Sequence, residues 1–373
     1  MTRGCSSSRI HPQPTPGGLS VVMLGPILAR TVGRSAGENY VGFVHKSLAA
    51  KANVTVIAPD SPVNRRALEE GVASTRNLRA GTAQSGGRGT KLAFALAHRC
   101  YYSMVKVDTG AVPLPFAVSL VLDPDIRRAV RGADVIDLQW AEYVRLAWLV
   151  RLLNPSARLV GTFHDVLSQR FARYATVREP GETLFAWRVS TWIARRAERA
   201  AGRRCDVVVA LSEKDRDQLS VDGSSAVFAV VDPPVRRSAE PEANSRPEGD
   251  PVVLFVAAMD RDDNIDAVEW FVAEVWPGVI LEFPTARLRL VGSGAGPRVR
   301  EAARAGTRVT VTGFVEDLAP EYFAASVAVV PLRVGAGVKF KTIEAMLAGV
   351  PVVTTSIGAE GIAEASRFWG LVD

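Results

Sequence analysis

VAVVPLRVGAGVKFKTIEAMLAGVPVVTT, residues 327–355, is the stretch from which the rest of the chain is read. An apolar β-type run from Val327 to Leu332 breaks into the small-residue loop Gly335-Ala336-Gly337, and a helical pattern follows from about Val338 to Ala348. Gly349 and Pro351 stop the helix and a second apolar run starts at Val350, so the order is strand, glycine-rich turn, helix, strand: a βαβ unit. The glycines let a ligand approach the backbone, and the helix N-terminus offers N–H groups to an anion.

Two features ask for more than packing. Wound at about 100° per residue, Phe340, Ile343, Glu344 and Leu347 fall on one side of the helix, so a carboxylate sits on the expected apolar flank. Such a group is costly to bury without a partner. The chain has only seven lysines, and the two beyond residue 250 are Lys339 and Lys341, both expected in the first helical turn. Cations at a helix N-terminus are disfavoured by under roughly 1 kcal/mol, a conflict that a phosphate lying between them and the N–H groups would resolve. The plain alternative is a pair of surface lysines and a glutamate at the edge of the core.

PLRVGAGVKFKTIEAMLAGVPVVTT resembles the donor-site signature of retaining glycosyltransferases of family 4, in the branch PLR-x-GAG-x-K-x-K-x-x-EA-x-x-x-G-x-PVV. The resemblance implies an α/β chain of the GT-B fold, two Rossmann-like domains facing across a cleft. It makes Glu344 the second glutamate of the E-x7-E motif, the one that holds the ribose of a nucleotide sugar. The first glutamate falls at Ala336, where the glycine loop Gly335–Gly337 stands instead. Lys339 takes the position that faces the diphosphate. Residues 162–173, TFHDVLSQRFAR, resemble the segment whose histidine faces the donor sugar, which is His164 here, with Asp165 to orient it. Gly313-Phe314-Val315 matches the turn whose backbone meets the nucleobase. The first loop of the family's second domain carries an Arg and a Lys for the diphosphate, but Ala258 and Asp263 stand there. That departure moves the charge onto Lys339, with Arg333 and Arg261 as helpers. Gly33 and Gly37 match, loosely, the first-domain loop that approaches the donor phosphates or the acceptor. Asp260-Arg261-Asp262 is formally a D-x-D metal motif, but a chance match; the family needs no metal, and no cofactor is expected beyond the nucleotide sugar as co-substrate.

At 373 residues the chain holds two ordinary domains, and 47% hydrophobic with 23% charged residues is globular composition. The expected division is a disordered Ser- and Pro-rich tail 1–18, a first, acceptor-side domain 19–235, a polar linker 236–250 and a nucleotide-sugar domain 251–373. Strands are expected at Leu19–Gly25, Val54–Ala58, Ala133–Leu138, Ala157–Phe163, Asp206–Leu211 and Phe228–Val231, then at Val252, Arg287–Val291 and Val309–Val311. Ser212 is placed to cap the next helix, with Asp215 at its third position. Asp60 to about Leu92 has no clear pattern and reads as a loop. Three scattered cysteines, Cys5, Cys100 and Cys205, fit a reducing compartment, so the cytoplasm is expected. Net charge is +6, and Arg145 to Cys205 holds twelve arginines against four acids. These are either solvated helix faces or a surface that attracts anionic membrane lipid headgroups on the cytoplasmic face or an anionic acceptor, at about 1 kcal/mol per cation. No recognition motif for nucleic acid accompanies the charge.

The resemblance runs to about Ile362 and then fades, so the second domain is expected to be incomplete, since a full one needs further strand–helix units. The expected activity is transfer of a sugar, with retention, from a nucleoside-diphosphate sugar to an acceptor of open class: a lipid-linked sugar, a polysaccharide or a small natural product. The rival is a truncated, non-catalytic homologue that binds a nucleotide or a partner protein. An NAD-linked oxidoreductase requires a dinucleotide fingerprint, and Gly292–Pro297, GSGAGP, is not one.

Overall fold

The structure is a computed structural model, and it describes residues 18–30, 36–70, 76–80, 88–105, 110–177, 182–235 and 249–362. Expectations placed on the tail 1–17, on Gly33, on the linker 236–248 and on the chain after 362 lie outside the described residues.

Two parallel sheets organise the chain. The first has seven strands: β1 (Ser20–Leu24), β2 (Asn53–Pro59), β3 (Arg76–Ala80), β4 (Val135–Gln139), β5 (Arg158–Phe163), β6 (Val207–Ala210) and β7 (Val227–Val230), in the order β3-β2-β1-β4-β5-β6-β7. The second has five: β8 (Val252–Val256), β9 (Arg287–Val291), β10 (Val309–Gly313), β11 (Val327–Val330) and β12 (Val352–Thr354), ordered β10-β9-β8-β11-β12. Central strands such as β1 and β2 are buried along nearly their whole length. That is why they read as continuous apolar runs, since helices cover both faces of a parallel sheet.

The helices of the first half are α1 (Ala36–Ala49), α2 (Pro62–Glu70), α3 (Arg88–Val105), α4 (Leu114–Leu122), α5 (Pro124–Arg131), α6 (Ala141–Val144) and α7 (Ala147–Leu153). Then come α8 (Leu167–Val177), α9 (Glu182–Arg204) and α10 (Glu213–Leu219). The second half adds α11 (Asp262–Trp270), α12 (Trp276–Glu282), α13 (Pro297–Ala305), α14 (Ala319–Ala324) and α15 (Phe340–Leu347). Local chemistry sets their ends. Asp123 caps α5 by accepting from the N–H groups of Asp125 and Ile126, and Ser212 Oγ accepts from Asp215 N at 3.2 Å, as its spacing predicts. At the end of α15, Gly349 takes φ +72°, and Val350 N donates to Ala345 O while Gly349 N donates to Met346 O, both at 3.0 Å. This is a Schellman ending.

Two expectations are corrected. The span 60–92 is not a loop: it holds α2, β3 and the start of α3. β3 (RNLRA) is an edge strand, polar and half-buried, and α2 is anchored by a polar group rather than an apolar face. Its buried Asn64 accepts from Leu28 N and donates to the carbonyls of Pro26 and Pro59. The second correction concerns α15, whose fully buried residues are Thr342 and Ala345, while Phe340, Ile343 and Glu344 are half-buried and Leu347 is exposed. Small side chains let the helix lie close on the sheet, so the bulky ones are displaced to its flanks.

By packing, the chain divides into two units that are not sequential. One comprises 1–163, 197–209 and 220–229; the other comprises 164–196, 210–219 and 230–373. The segment 164–196, placed by the sequence with the first domain, falls in the second of these units. That unit's core joins Phe255, Leu288, Leu290 and Val291 of the sheet to Val268, Trp276 and Val299 of its helices.

Candidate active site

In open parallel sheets, ligands collect outside the carboxyl ends of the strands, where the strand order reverses. In the second sheet β9 and β10 build to one side of β8, and β11 and β12 to the other. The reversal therefore lies between β8 and β11, which pair through Val253–Val327 and Leu254–Ala328. The loops leaving these two strands are Ala257–Arg261 and Pro331–Lys339, the second being the glycine turn of the sequence reading.

That turn is shaped by its neighbours. Gly337 has φ +74°, and a Cβ there would come within 2.7 Å of His164 O and 3.0 Å of Asp165 Cβ. Gly335 has φ +124° and faces Asp263. The turn thus brings Gly335, Ala336 and Gly337 against His164 and Asp165, which lie 170 to 173 positions away by direct count.

Lys339 is buried at the start of α15, and its Nζ donates to Ala336 O (2.9 Å) and Gly337 O (2.7 Å), with Glu360 Oε2 at 3.7 Å. Burial pushes its pKa down to about 8, against the upward pull of Glu360. Lys341 Nζ donates to Asn264 Oδ1 at 2.5 Å and lies 5.1 Å from the centre of the Phe255 ring. Its pKa falls to about 7, again through burial. Asn264 in turn donates to Ala258 O at 2.7 Å, tying α11 to the β8 loop. Burial raises the pKa of Glu344, and Lys341 pulls it back. Beside it, the buried hydroxyl of Tyr322 on α14 has no hydrogen-bond partner, and burial with the charge of Glu344 pushes its pKa up.

Other expected residues fall unevenly. Arg261 pairs with Asp263 in a two-point contact of 3.1 and 3.0 Å, so the acid that replaces a family cation holds one itself. Arg333 does not join Lys339: it forms a two-point pair with Asp266 (3.1 and 2.6 Å) and lies over the Trp270 ring, both on α11. Gly313 (φ +84°), Phe314 (57% exposed) and Val315 stand at the carboxyl end of β10, the edge strand. Burial lowers the His164 pKa to about 3, so the imidazole is neutral at physiological pH. The Asp165 carboxylate, expected to orient it, accepts from Arg170 at 2.7 Å. Gly37 lies within α1 rather than in a loop, because it packs on Trp140: a Cβ there would meet Trp140 Cζ2 at 2.8 Å.

The sequence reading missed Glu360, Arg173 and Lys214. Glu360, with a 7% exposed side chain, accepts two 2.7 Å bonds from the Arg173 guanidinium and one from Lys214 Nζ. Arg173 also donates to Gly335 O at 2.6 Å. These partnerships hold the Glu360 pKa below the usual range despite burial. It also missed Trp140, which follows β4 at φ +70°. A bulky side chain in that region marks strain of about 1–3 kcal/mol and points to function. The order of the first sheet reverses between β1 and β4, so Trp140 stands at that sheet's own switch point. Of the arginine run, Arg151 pairs with Asp206, Arg170 with Asp165 and Arg173 with Glu360, while Arg158 makes a 3.6 Å surface contact with Asp206. Among the described residues no helix is long and apolar enough to cross a membrane, and no group of three or more His, Cys, Asp or Glu could hold a metal ion.

Two parallel-sheet α/β units, one with a glycine turn at its switch point, define an α/β protein of Rossmann-like units. Residues 36–234, more than half of the chain, match the family described as "Glycosyl transferase 4-like domain", and residues 250–369 match "Glycosyl transferases group 1". The chain belongs to the glycosyl transferase 4-like family. A Klebsiella pneumoniae protein described as an uncharacterized 44.6 kDa protein in the cps region is 31% identical over 116 residues, 29% of this chain and 30% of that protein. The chain thus spans under a third of the length of that relative. Among solved structures, Anabaena Alr3699/HepE in complex with UDP and glucose is similar with TM-score 0.59 and 15% identity, over 93% of this chain and 83% of that one. The trehalose-6-phosphate synthase OtsA gives 0.56 at 12% identity, over 91% and 86%, and a glycosyltransferase from Rickettsia africae gives 0.52 at 12%, over 93% and 82%. At these identities the likeness shows the fold, which is that of GT-B glycosyltransferases.

Proposed function

We propose that the chain transfers a sugar from a nucleoside-diphosphate sugar to an acceptor hydroxyl, with retention at the anomeric carbon. The observation that carries this reading is the convergence of the glycine turn, Lys339, Lys341 and Glu344 at the switch point between β8 and β11. Glu344 holds the ribose hydroxyls. Lys339 and the turn Gly335–Gly337 stabilise the diphosphate as the bond from the anomeric carbon to its oxygen breaks, which is charge stabilisation by preorganised groups. The acceptor oxygen forms the new bond on the same face, and its proton passes to the departing phosphate oxygen. Neutral His164 contacts the sugar as a hydrogen-bonding group rather than as an acid.

The HepE structures contain UDP, UDP with glucose, or UDP-glucose, so UDP is the first probe. Calorimetric titration of the full 373-residue chain with UDP, GDP and ADP, with Glu344→Ala as control, tests the site. Selective binding lost in the variant is the expected result. Absence of binding by a folded wild-type chain overturns the reading and leaves the non-catalytic one.

A further inference from the structure

Glu360 accepts charge from three places in the chain: Arg173 on α8, Lys214 on α10 and Lys339 at the start of α15. Two of these partners also touch the glycine turn directly, Arg173 through Gly335 O and Lys339 through Ala336 O and Gly337 O. Asp215 Oδ1 also lies 3.1 Å from Lys214 Nζ, so two carboxylates stand among three cations and the cluster stays cationic by one charge. We propose that Glu360 is a positioning residue of the donor site: its carboxylate clasps Arg173, Lys214 and Lys339 and holds the glycine turn and the Lys339 ammonium in the arrangement that receives a diphosphate. This rests on the donor-site reading above, and it adds a residue that the signature does not contain.

The clasp has an electrostatic consequence that mere packing lacks. Lys339 is drawn toward deprotonation by burial and by Arg173, and toward protonation by Glu360, Asp263 and Asp165, with Lys341 as a further nearby cation. Glu360 is the first of the protonating influences. Its charge therefore keeps Lys339 cationic at neutral pH in an environment that opposes it.

With only seven lysines in the chain, carbon-13 labelling of lysine gives a countable NMR spectrum, and Lys339→Arg assigns the Lys339 signal. In the nucleotide-free wild type the Lys339 titration is expected near pH 8. Glu360→Gln moves it to lower pH, Glu360→Asp retains most of the wild-type position, and Arg173→Gln moves it to higher pH. In parallel, UDP affinity in Glu360→Gln declines on the alkaline side at lower pH than in the wild type. Where Glu360→Gln does not fold, Arg173→Gln decides by the upward movement alone. A Lys339 titration that stays in place in the folded variants overturns the clasp, whatever happens to nucleotide binding. Failure of the wild type to bind UDP, GDP or ADP overturns the donor-site reading instead, and the lysine titration still reports on the clasp.

Discussion

Arg173 and Glu360 form a fork-to-fork ion pair, Nη1 to Oε2 and Nη2 to Oε1 both at 2.7 Å, across 187 positions of sequence. The planar guanidinium matches the carboxylate at two points and still has a donor for Gly335 O. Replacement by Gln breaks both contacts but leaves Glu360 with Lys214 and Lys339. We expect Arg173→Gln to lower unfolding stability by about 2–3 kcal/mol, measured by urea denaturation. Arg173→Lys recovers only part, because an ammonium cannot make the fork. Equal stability of Lys and Arg variants would show that charge alone matters there.

Lys341 sits over the Phe255 ring with a pKa near 7. Its folded value lies below that of the unfolded chain, about 10.4. Between the two, the unfolded chain binds more protons, so this group makes stability rise with pH across roughly pH 7 to 10. Lys341→Met keeps the stem and removes the charge. It is expected to stabilise the nucleotide-free protein at pH 7 by about 1–3 kcal/mol, flatten that alkaline rise and weaken nucleotide binding. Thermal melts at pH 6, 7, 8 and 9 check it; a less stable variant at pH 7 contradicts it.

Asp137 gives the opposite slope. It is buried in β4, accepts from Thr162 Oγ1 at 2.8 Å and Gln139 Nε2 at 2.5 Å, and burial still lifts its pKa from 3.8 to about 6. Between these values the folded state holds the extra proton, so its contribution to stability falls as pH rises from about 4 to 6, by roughly 3 kcal/mol if the shift is complete. Asp137→Asn, with the Gln139 amide turned to accept, removes the slope. The difference between wild-type and variant stability across pH 4 to 7 is the measurement, and a flat difference sinks the assignment.

Much of this was legible and some was not, for physical reasons. The βαβ unit at 327–355 and the central strands could be read because burial on both faces demands unbroken apolar runs. β3 and α2 could not, since an edge strand needs no such run and Asn64 anchors its helix by hydrogen bonds. The apolar side of α15 was misread because Ala345 and Thr342, not the largest residues, lie on the sheet. Lys339 stood out through the scarcity of lysine, whereas Glu360 had no local mark: its ion pairs with Arg173 and Lys214 exist only once the fold brings them near. The strain at Trp140 likewise belongs to the backbone and leaves only an aromatic after a strand.

The orphan hydroxyl of Tyr322 allows a test beside Glu344. A buried hydroxyl without a partner costs about 1–3 kcal/mol of desolvation, and this one lies under the influence of Glu344. Tyr322→Phe is therefore expected to raise unfolding stability by about 1 kcal/mol in the absence of nucleotide.

The turn itself supplies the last prediction. Gly337 adopts φ +74°, and an added Cβ would lie 2.7 Å from His164 O, a backbone atom that cannot swing aside. Gly349 has nearly the same φ, +72°, with nothing within 4 Å of an added Cβ. Alanine at either site costs about 1–2 kcal/mol for the left-handed backbone, but only at Gly337 must the turn also move away from His164 and Asp165. Gly349→Ala is thus the control for strain alone. We expect Gly337→Ala to reduce UDP affinity at least tenfold, a change of about 1.4 kcal/mol, while Gly349→Ala stays within twofold of the wild type. Matching losses in the two variants would mean that general destabilisation, and not the place of the turn against His164, controls binding.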